Sequence, residues 1–484
     1  MTAQGSAKAR EVAALPPLIV DLDDTLVRTD TLVESLAALA MGKPLTFLRA
    51  IAALRSGRAG FKRFVAEHVT LDYATLPYNR EIVEFIRQRR AAGGQVYLVT
   101  AADQSIADGV ATHLGLFDGV VASDGSHNLK GANKAQALAE RFGSGFDYIG
   151  DSAADIAVWE KSREILVAGD SDQVTRQLEK RNLTPAHRFA PLRMRLRDWV
   201  KALRLHQWSK NALLFLTVFL GQNFDNLALV LHVFAGFLIF GVIASATYLI
   251  NDLHDLSADR AHFGKRHRAL ASGRLPLTLG VPLAVVMLVG GMGSAFLLEP
   301  AFGLVTLTYL ALTLTYSFVL KAVALLDILA IGALFTIRIY GGIALTHSPS
   351  SLWLTSFALI LFSSLALAKR HAELVRAAAD GREITGRGYR TSDTPLTVAL
   401  GTATSMISAV MMLLYLHFDA EQRDLYTNVE SLFLVPLILT SWLMRIWIKA
   451  HRGELHDDPV IFALKDKVSI LHGALVGLCW LLAI

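Results

Sequence analysis

The sequence predicts two domains of different class: an α/β, Rossmann-like domain carrying a small helical cap, then an all-α membrane domain of about nine transmembrane helices. Two observations predict this. Within the first 187 residues, short apolar runs end abruptly in polar clusters, as buried strands of a parallel sheet do. From about residue 211 onward, apolar runs of membrane-spanning length recur to the last residue. Averages over the 484 residues, 53% hydrophobic with a formal charge of +5, conceal this division. The boundaries read as a tail over 1–14, the α/β domain over 15–187, a basic linker or interfacial helix over 188–210 and the membrane domain over 211–484.

In the α/β part, Leu18-Ile19-Val20 leads directly into Asp21-Leu22-Asp23-Asp24-Thr25-Leu26. A second run, Val96 to Val99, ends at Thr100, and a third, Phe146 to Ile149, ends at Gly150-Asp151-Ser152-Ala153-Ala154-Asp155. Between the last two, Lys134 opens a helix after Lys130-Gly131. Ligands bind at the carboxyl ends of such strands, so these polar residues converge on one site. Asp24 reads as a turn residue.

DxDxT, then Thr, then Lys, then GDxxxD, in that order and at strand ends, resembles the haloacid dehalogenase superfamily of phosphatases over residues 15 to 185. The resemblance implies Asp21 as the nucleophile that forms an aspartyl phosphate and Asp23 as general acid and then base. Thr100 and Lys134 would hold phosphoryl oxygens. Mg²⁺ would sit on Asp21, the Asp23 carbonyl and Asp151, with Asp155 in support, and residues of about 30 to 80, with Arg55, Arg58, Lys62 and Arg63, would form the small helical cap. A domain that binds phosphate without turning it over is the alternative.

Apolar segments fall near 211–221, 227–250, 277–297, 300–320, 323–344, 352–368, 395–416, 429–448 and 467–484. Basic residues gather before the first (Arg193 to Arg204), between the second and third (Arg260 to Arg274), after the sixth (Lys369 to Arg390) and after the eighth (Lys449 to Lys467). By the positive-inside rule these stretches share the cytoplasmic side, and the C-terminus faces away from it. The N-terminus lacks a basic region followed by an apolar core, so no cleavable signal peptide is expected. The expectation is a multi-pass protein of the inner (cytoplasmic) membrane, with the soluble domain and the active sites facing the cytoplasm and membrane lipids as partners. No nucleic-acid partner is expected; a homo-oligomer remains open. Cys479, the single cysteine, excludes an intrachain disulfide and any CxxC metal site.

The stretch Tyr248 to Gly273 places Asn251, Asp252, Asp255 and Asp259 beside Lys265, Arg266 and Arg268 at the edge of an apolar segment. If the helix continues past Ile250, a step of about 100° per residue puts the four oxygen-bearing side chains on one face. Hard divalent ions such as Mg²⁺ take oxygen ligands and bridge them to phosphate oxygens, and the basic cluster would cover the remaining anionic charge. A solvated, positive-inside loop would explain the Lys and Arg residues but not the carboxylates in helical register.

NDxxDxxxD in a chain with about nine spans resembles the UbiA-type intramembrane prenyltransferases. Further motifs narrow the likeness to the branch that contains decaprenyl-phosphate phosphoribosyltransferase. They are Arg204-Leu-His-Gln207-Trp208-Ser-Lys210-Asn211, Lys265-Arg266-His-Arg268, Tyr316 through Lys321, Asp327 with Arg338, Gly341-Gly342, and Lys369-Arg370-His-Ala-Glu373-Leu374. Aromatic prenyltransferases usually carry a second DxxxD pair, whereas here Asp327 is followed four positions on by Ile331. The branch often has proline near the basic cluster, where this chain has Phe263 and Ala269.

The resemblance implies attack by a polyprenyl-phosphate oxygen on the anomeric carbon of phosphoribosyl diphosphate, with Asp252, Asp255 and Asp259 holding Mg²⁺ and Asn251 orienting the site. Arg204, Lys210, Arg266, Arg268 and Lys321 are candidates for phosphate oxygens, Lys369 and Arg370 for the 5-phosphate or the lipid phosphate, and Tyr316 for a hydrogen bond. Trp208 reads as an interfacial anchor ahead of a stacking residue. A phosphatase on the same membrane face would then remove the 5-phosphate to leave polyprenyl-phosphoryl ribose. Two other readings remain: transfer of a polyprenyl group to an aromatic acceptor, and a membrane carrier governed by a phosphate-sensing domain.

Overall fold

The computed structural model describes residues 15–124, 129–143, 145–382, 387–423, 426–455, 462–463 and 465–484. The predicted tail over 1–14 and the side chain of Arg58 lie outside the described residues. Six parallel strands, β1 (Leu18–Val20), β2 (Val96–Asp103), β3 (Gly119–Ser123), β4 (Asp147–Gly150), β5 (Glu164–Ala168) and β6 (His187–Phe189), form one sheet in the order β3-β2-β1-β4-β5-β6. Strand order reverses at β1, which lies between β2 and β4, and this is where a doubly wound sheet opens a crevice for ligands.

Both faces of the sheet are covered, which is why its central strands read as unbroken apolar runs. Leu18 and Val20 pack on one side with Ile82, Ile86 and Leu98; Ile19 packs on the other with Val99, Leu138, Phe146 and Trp159. The expected cap is present as three helices between β1 and β2, Thr31–Gly42, Pro44–Ala53 and Gly57–His68, around Leu39, Ala50 and Val65.

The chain divides into two compact units, Met1–Leu203 with Leu249–Leu283, and Arg204–Tyr248 with Ala284–Ile484. The segment bearing the NDxxDxxxD motif thus groups with the α/β domain.

Seven helices among the described residues are long and apolar enough to cross a membrane, spanning 227–254, 277–298, 300–318, 326–346, 352–379, 391–420 and 429–451. They make this a multi-pass membrane protein. Two of the nine predicted segments fall short. Residues near 211–221 form 3-10 turns over Leu205–Phe215 and one short helix, Leu216–Leu220, and the last segment is a 17-residue helix, Lys467–Ala483. Cys479 is buried among Leu354, Tyr415 and Leu432 as a packed thiol.

Candidate active sites

The polar residues that follow β1 and β4 meet Lys134 at the carboxyl end of the sheet, whereas β2 runs on past Thr100 to Asp103. Asp21 is the first residue after β1; its N–H donates to the Ile149 carbonyl, and its carboxylate accepts from the Leu22 N–H at 2.8 Å. Lys134, nearly fully buried, places Nζ 2.9 Å from Asp21 Oδ2, 3.0 Å from the Tyr148 hydroxyl and 3.8 Å from Asp155 Oδ1. Asp155 is fixed in turn by the Tyr148 hydroxyl at 2.7 Å and by the N–H groups of Asp151 and Ser152 at 3.2 and 3.0 Å. Gly150 allows this loop to close, because a Cβ there would lie 2.7 Å from the Asp155 carboxyl carbon.

Carboxylate oxygens of Asp21, Asp151 and Asp155 lie within 4.8 Å of one another, the one such group of three or more potential metal-ligating side chains among the described residues. Burial, together with the charge of Asp155, pushes the Asp21 carboxyl above its usual range despite Lys134. Burial and the neighbouring carboxylates Asp155 and Asp21 do the same, more strongly, to Asp151. Burial works to lower the Lys134 pKa, but the charges of Asp21 and Asp155 outweigh it and raise it. The cluster thus holds more negative charge than its one lysine balances, and an all-oxygen donor set of this kind fits a hard divalent cation.

Asp23 points elsewhere. Its carboxylate accepts from the Thr31 N–H at 2.8 Å, at the start of the cap, and burial with the Asp30 charge pushes it up to about 7. A carboxyl that holds a proton near neutrality suits donation to a leaving group, whereas its side chain takes no place in the Asp21–Asp151–Asp155 cluster. Lys62 from the cap lines the small cavity over Asp23 and donates to the Ala101 carbonyl at 2.7 Å. Thr100 is buried with its hydroxyl accepting from the Ala102 N–H at 3.0 Å.

The acidic segment differs from its expected form. The helix that begins at Leu227 ends at His254; Asp255 follows with φ −87° and ψ 11°, and a short helix, Leu256–Ala261, resumes. The four residues are therefore not on one unbroken helical face. Asp252 and Asp259, both buried, converge on Arg268 Nη1 at 3.1 and 2.6 Å, with Lys265 3.9 Å from Asp259. Asp255 instead accepts from the Asn251 amide at 3.1 Å. Arg266 is exposed and stacks on Phe263. This donor set, three carboxylates and an amide oxygen, has the chemistry for Mg²⁺, although Arg268 sits between two of the carboxylates here.

In the second unit, Asp327 is fully buried and neutralised by arginine: Arg370 Nη2 lies 3.2 Å and Arg387 Nη1 3.8 Å from Oδ2, and the Tyr389 hydroxyl donates to Oδ1 at 2.7 Å. Arg370 also pairs with Glu373. The position that in aromatic prenyltransferases opens a second acidic pair here forms an internal ion pair, and Arg370, a sequence candidate for phosphate, is engaged by it. Removing Asp327 would leave Arg370 with Glu373 alone and take the acceptor from the buried Tyr389 hydroxyl, so Asp327→Ala is expected to destabilise this unit by roughly 1–3 kcal/mol, read as a lowered unfolding midpoint in detergent. A midpoint equal to wild type refutes the structural assignment.

Other sequence candidates are placed individually. Tyr316 accepts from Arg387 at 3.2 Å, Lys210 Nζ sits 5.0 Å over the Phe335 ring, and Arg204 stacks 4.6 Å over Tyr248. Lys321 and Lys369 are half-buried. Trp208 donates to Ser245 at 3.0 Å and its ring fills the space beside Gly241, so it is a packing residue. Arg338 is buried, donates to Asn211 Oδ1 at 3.0 Å and lies 5.1 Å from the rings of both Phe240 and Tyr309.

Residues 212–459 match the UbiA prenyltransferase family, and residues 18–160 match the haloacid dehalogenase-like hydrolases. The chain belongs to the UbiA prenyltransferase family. It carries in addition an N-terminal haloacid dehalogenase-like domain, and both are enzyme folds. An uncharacterized protein, y4nM, of Sinorhizobium fredii is 47% identical over 96% of this chain and 91% of its own length. Nodulation protein NoeC of Azorhizobium caulinodans is 31% identical over 59% of this chain and 93% of its own. A decaprenyl-phosphate phosphoribosyltransferase of Mycobacterium tuberculosis is 34% identical over 58% of this chain and 91% of its own.

Within this UbiA-type chain, sequence reasoning missed Tyr148, Arg387 and Tyr389. Tyr148 lies inside an apolar strand and gives no signal distinct from core. Arg387 and Tyr389 stand 60 and 62 residues beyond Asp327, too far for any local pattern to join them.

Proposed function

We propose that the membrane domain transfers 5-phosphoribosyl from phosphoribosyl diphosphate to a polyprenyl phosphate of decaprenyl type, and that the N-terminal domain removes the 5-phosphate. The observation that carries the first step is the 34% identity to a decaprenyl-phosphate phosphoribosyltransferase over 91% of that protein. In this step an oxygen of the lipid phosphate bonds to the anomeric carbon, the bond from that carbon to the diphosphate breaks, and pyrophosphate leaves with the electron pair.

Asp252, Asp255 and Asp259 would hold Mg²⁺, with Asn251 orienting the set. The ion would supply charge compensation for the leaving pyrophosphate. Arg268 places its guanidinium beside Asp252 and Asp259 for diphosphate oxygens, while Arg204, Lys210, Arg266, Tyr316, Lys321 and Lys369 remain candidates for phosphate oxygens. Arg370 contributes by holding Asp327 in place.

In the second step the Asp21 carboxylate attacks the 5-phosphate, and the bond between phosphorus and the ribose oxygen breaks. Asp23 gives that oxygen a proton, and water, deprotonated by Asp23, then releases inorganic phosphate. Lys134 holds Asp21 in line, and Asp21, Asp151 and the Asp23 carbonyl would hold Mg²⁺, with Asp155 supporting the loop. Support for this step is the 2.9 Å contact of Lys134 with a buried carboxylate whose neighbours are Asp151 and Asp155. Both sites would face the cytoplasm, the side on which the positive-inside rule expects the basic loops.

Acceptor competition separates this reading from prenyl transfer. Given phosphoribosyl diphosphate, a polyprenyl phosphate, a polyprenyl diphosphate and 4-hydroxybenzoate together, the purified protein is expected to make only ribosylated lipid. Prenylated hydroxybenzoate as the product selects the other chemistry.

A further inference from the structure

Within the first unit, the segment that carries the acidic motif is seated on the phosphatase domain at two points and on the linker helix Leu196–Ala202 at a third. Arg260, the residue after Asp259, forms a two-pronged ion pair with Glu34, Nη1 to Oε1 at 2.6 Å and Nη2 to Oε2 at 3.1 Å. Both residues are buried, at 9% and 5% exposure, and each has a further partner: Arg260 Nε donates to the Ala271 carbonyl at 3.1 Å, and the Thr29 hydroxyl donates to Glu34 at 3.2 Å. Gly273, with φ +72°, lies so close to the loop after β1 that a Cβ would fall 2.7 Å from the Arg28 carbonyl oxygen. Arg274 Nη1 meets Asp198 Oδ1 at 3.0 Å.

Tethering alone does not require this. Two activities on one chain already share a high effective concentration across a flexible linker. A buried, two-pronged ion pair has exacting geometry and holds only when both partners are fixed. Its two ends are also informative. Glu34 lies in the first turn of the cap helix whose Thr31 N–H holds the Asp23 carboxylate, and Arg260 is bonded in sequence to Asp259. A cleft of about 140 Å³ opens alongside, lined by Asp24, Arg28, Asn79, Gly169, Gly273 and Pro276, so it has walls from both the nucleophile loop and the acidic-motif segment.

We propose that this docking passes the phosphorylated, lipid-linked pentose directly from the acidic segment to the phosphatase loop, with the Arg28 cleft receiving the anionic headgroup. The inference rests on the two-step reading above and adds to it that the intermediate does not equilibrate with the surrounding lipid. Glu34, Arg260 and Gly273 are positioning residues: they hold the two segments in register and touch no reacting atom.

The test follows product formation over time in full-length protein reconstituted in lipid, supplied with phosphoribosyl diphosphate and a polyprenyl phosphate. In wild type the phosphorylated intermediate stays at a low level throughout. In Glu34→Gln and in Arg260→Lys it is expected to accumulate by about tenfold, the scale of a lost coupling, while p-nitrophenyl phosphate hydrolysis and ribosyl transfer, measured separately, persist. Arg260→Lys keeps a positive charge opposite Glu34 and loses the two-pronged geometry, so it decides the matter if Glu34→Gln does not fold. Variants that retain both separate activities and hold the intermediate as low as wild type overturn the proposal. The two-step reading fails in a different way, by the absence of any phosphorylated lipid even when Asp21 is replaced by Asn.

Discussion

Asp21→Asn is expected to lower phosphatase turnover by about three orders of magnitude or more while ribosyl transfer continues. The Asn amide keeps the size of the side chain and loses the anionic oxygen that attacks phosphorus. It also loses the partner that Lys134 meets at 2.9 Å. Mass analysis of the lipid fraction is expected to show polyprenyl-phosphoryl ribose in wild type and a species heavier by one phosphoryl group in the variant. The same phosphorylated lipid from both proteins would assign the N-terminal domain another substrate. Loss of transfer in a folded variant would show that the two steps are coupled more tightly than proposed.

Asp255→Asn carries the second large effect. Asp252 and Asp259 already share Arg268, so replacing either disturbs an ion pair as well as a ligand set. Asp255 accepts from the Asn251 amide, and its replacement by Asn removes a ligand charge while keeping the size of the side chain. Ribosylated lipid is expected to fall by about tenfold or more, the scale on which a metal site loses affinity or activity when a ligand or its support is altered. Unchanged product formation at saturating Mg²⁺ would reject Asp255 as a member of the site.

Much of the phosphatase site was legible because Asp21, Asp151 and Asp155 closely follow strands β1 and β4, and a strand end is a local event in the chain. DxDxT, Thr100, Lys134 and GDxxxD needed only the expectation of a parallel sheet to be brought together. The separate direction taken by Asp23 was less legible, since it depends on Thr31 at the start of the cap. Apolar length located most membrane helices but overstated the region near 211–221, because hydropathy does not distinguish 3-10 turns from an α-helix. The helix end at His254 has no glycine or proline to announce it. Pairs remote in sequence left no trace at all: Glu34 with Arg260, 226 positions apart, and Asp327 with Arg370 and Tyr389. Isolated charges in a sequence suggest ligands for a substrate, and only the fold reveals that Arg370 and Arg260 are occupied by carboxylates of the same chain.

The central claim is that one chain builds a lipid-linked ribose in two steps, and a doubly labelled donor tests it most directly. Phosphoribosyl diphosphate carrying one isotope in the ribose and another in the 5-phosphate would be incubated with the purified protein, Mg²⁺ and a polyprenyl phosphate. The account predicts that the ribose label enters the lipid fraction while the 5-phosphate label appears as inorganic phosphate. Absence of the ribose label from the lipid would contradict the transferase assignment, and equal retention of both labels in the lipid would contradict the phosphatase step.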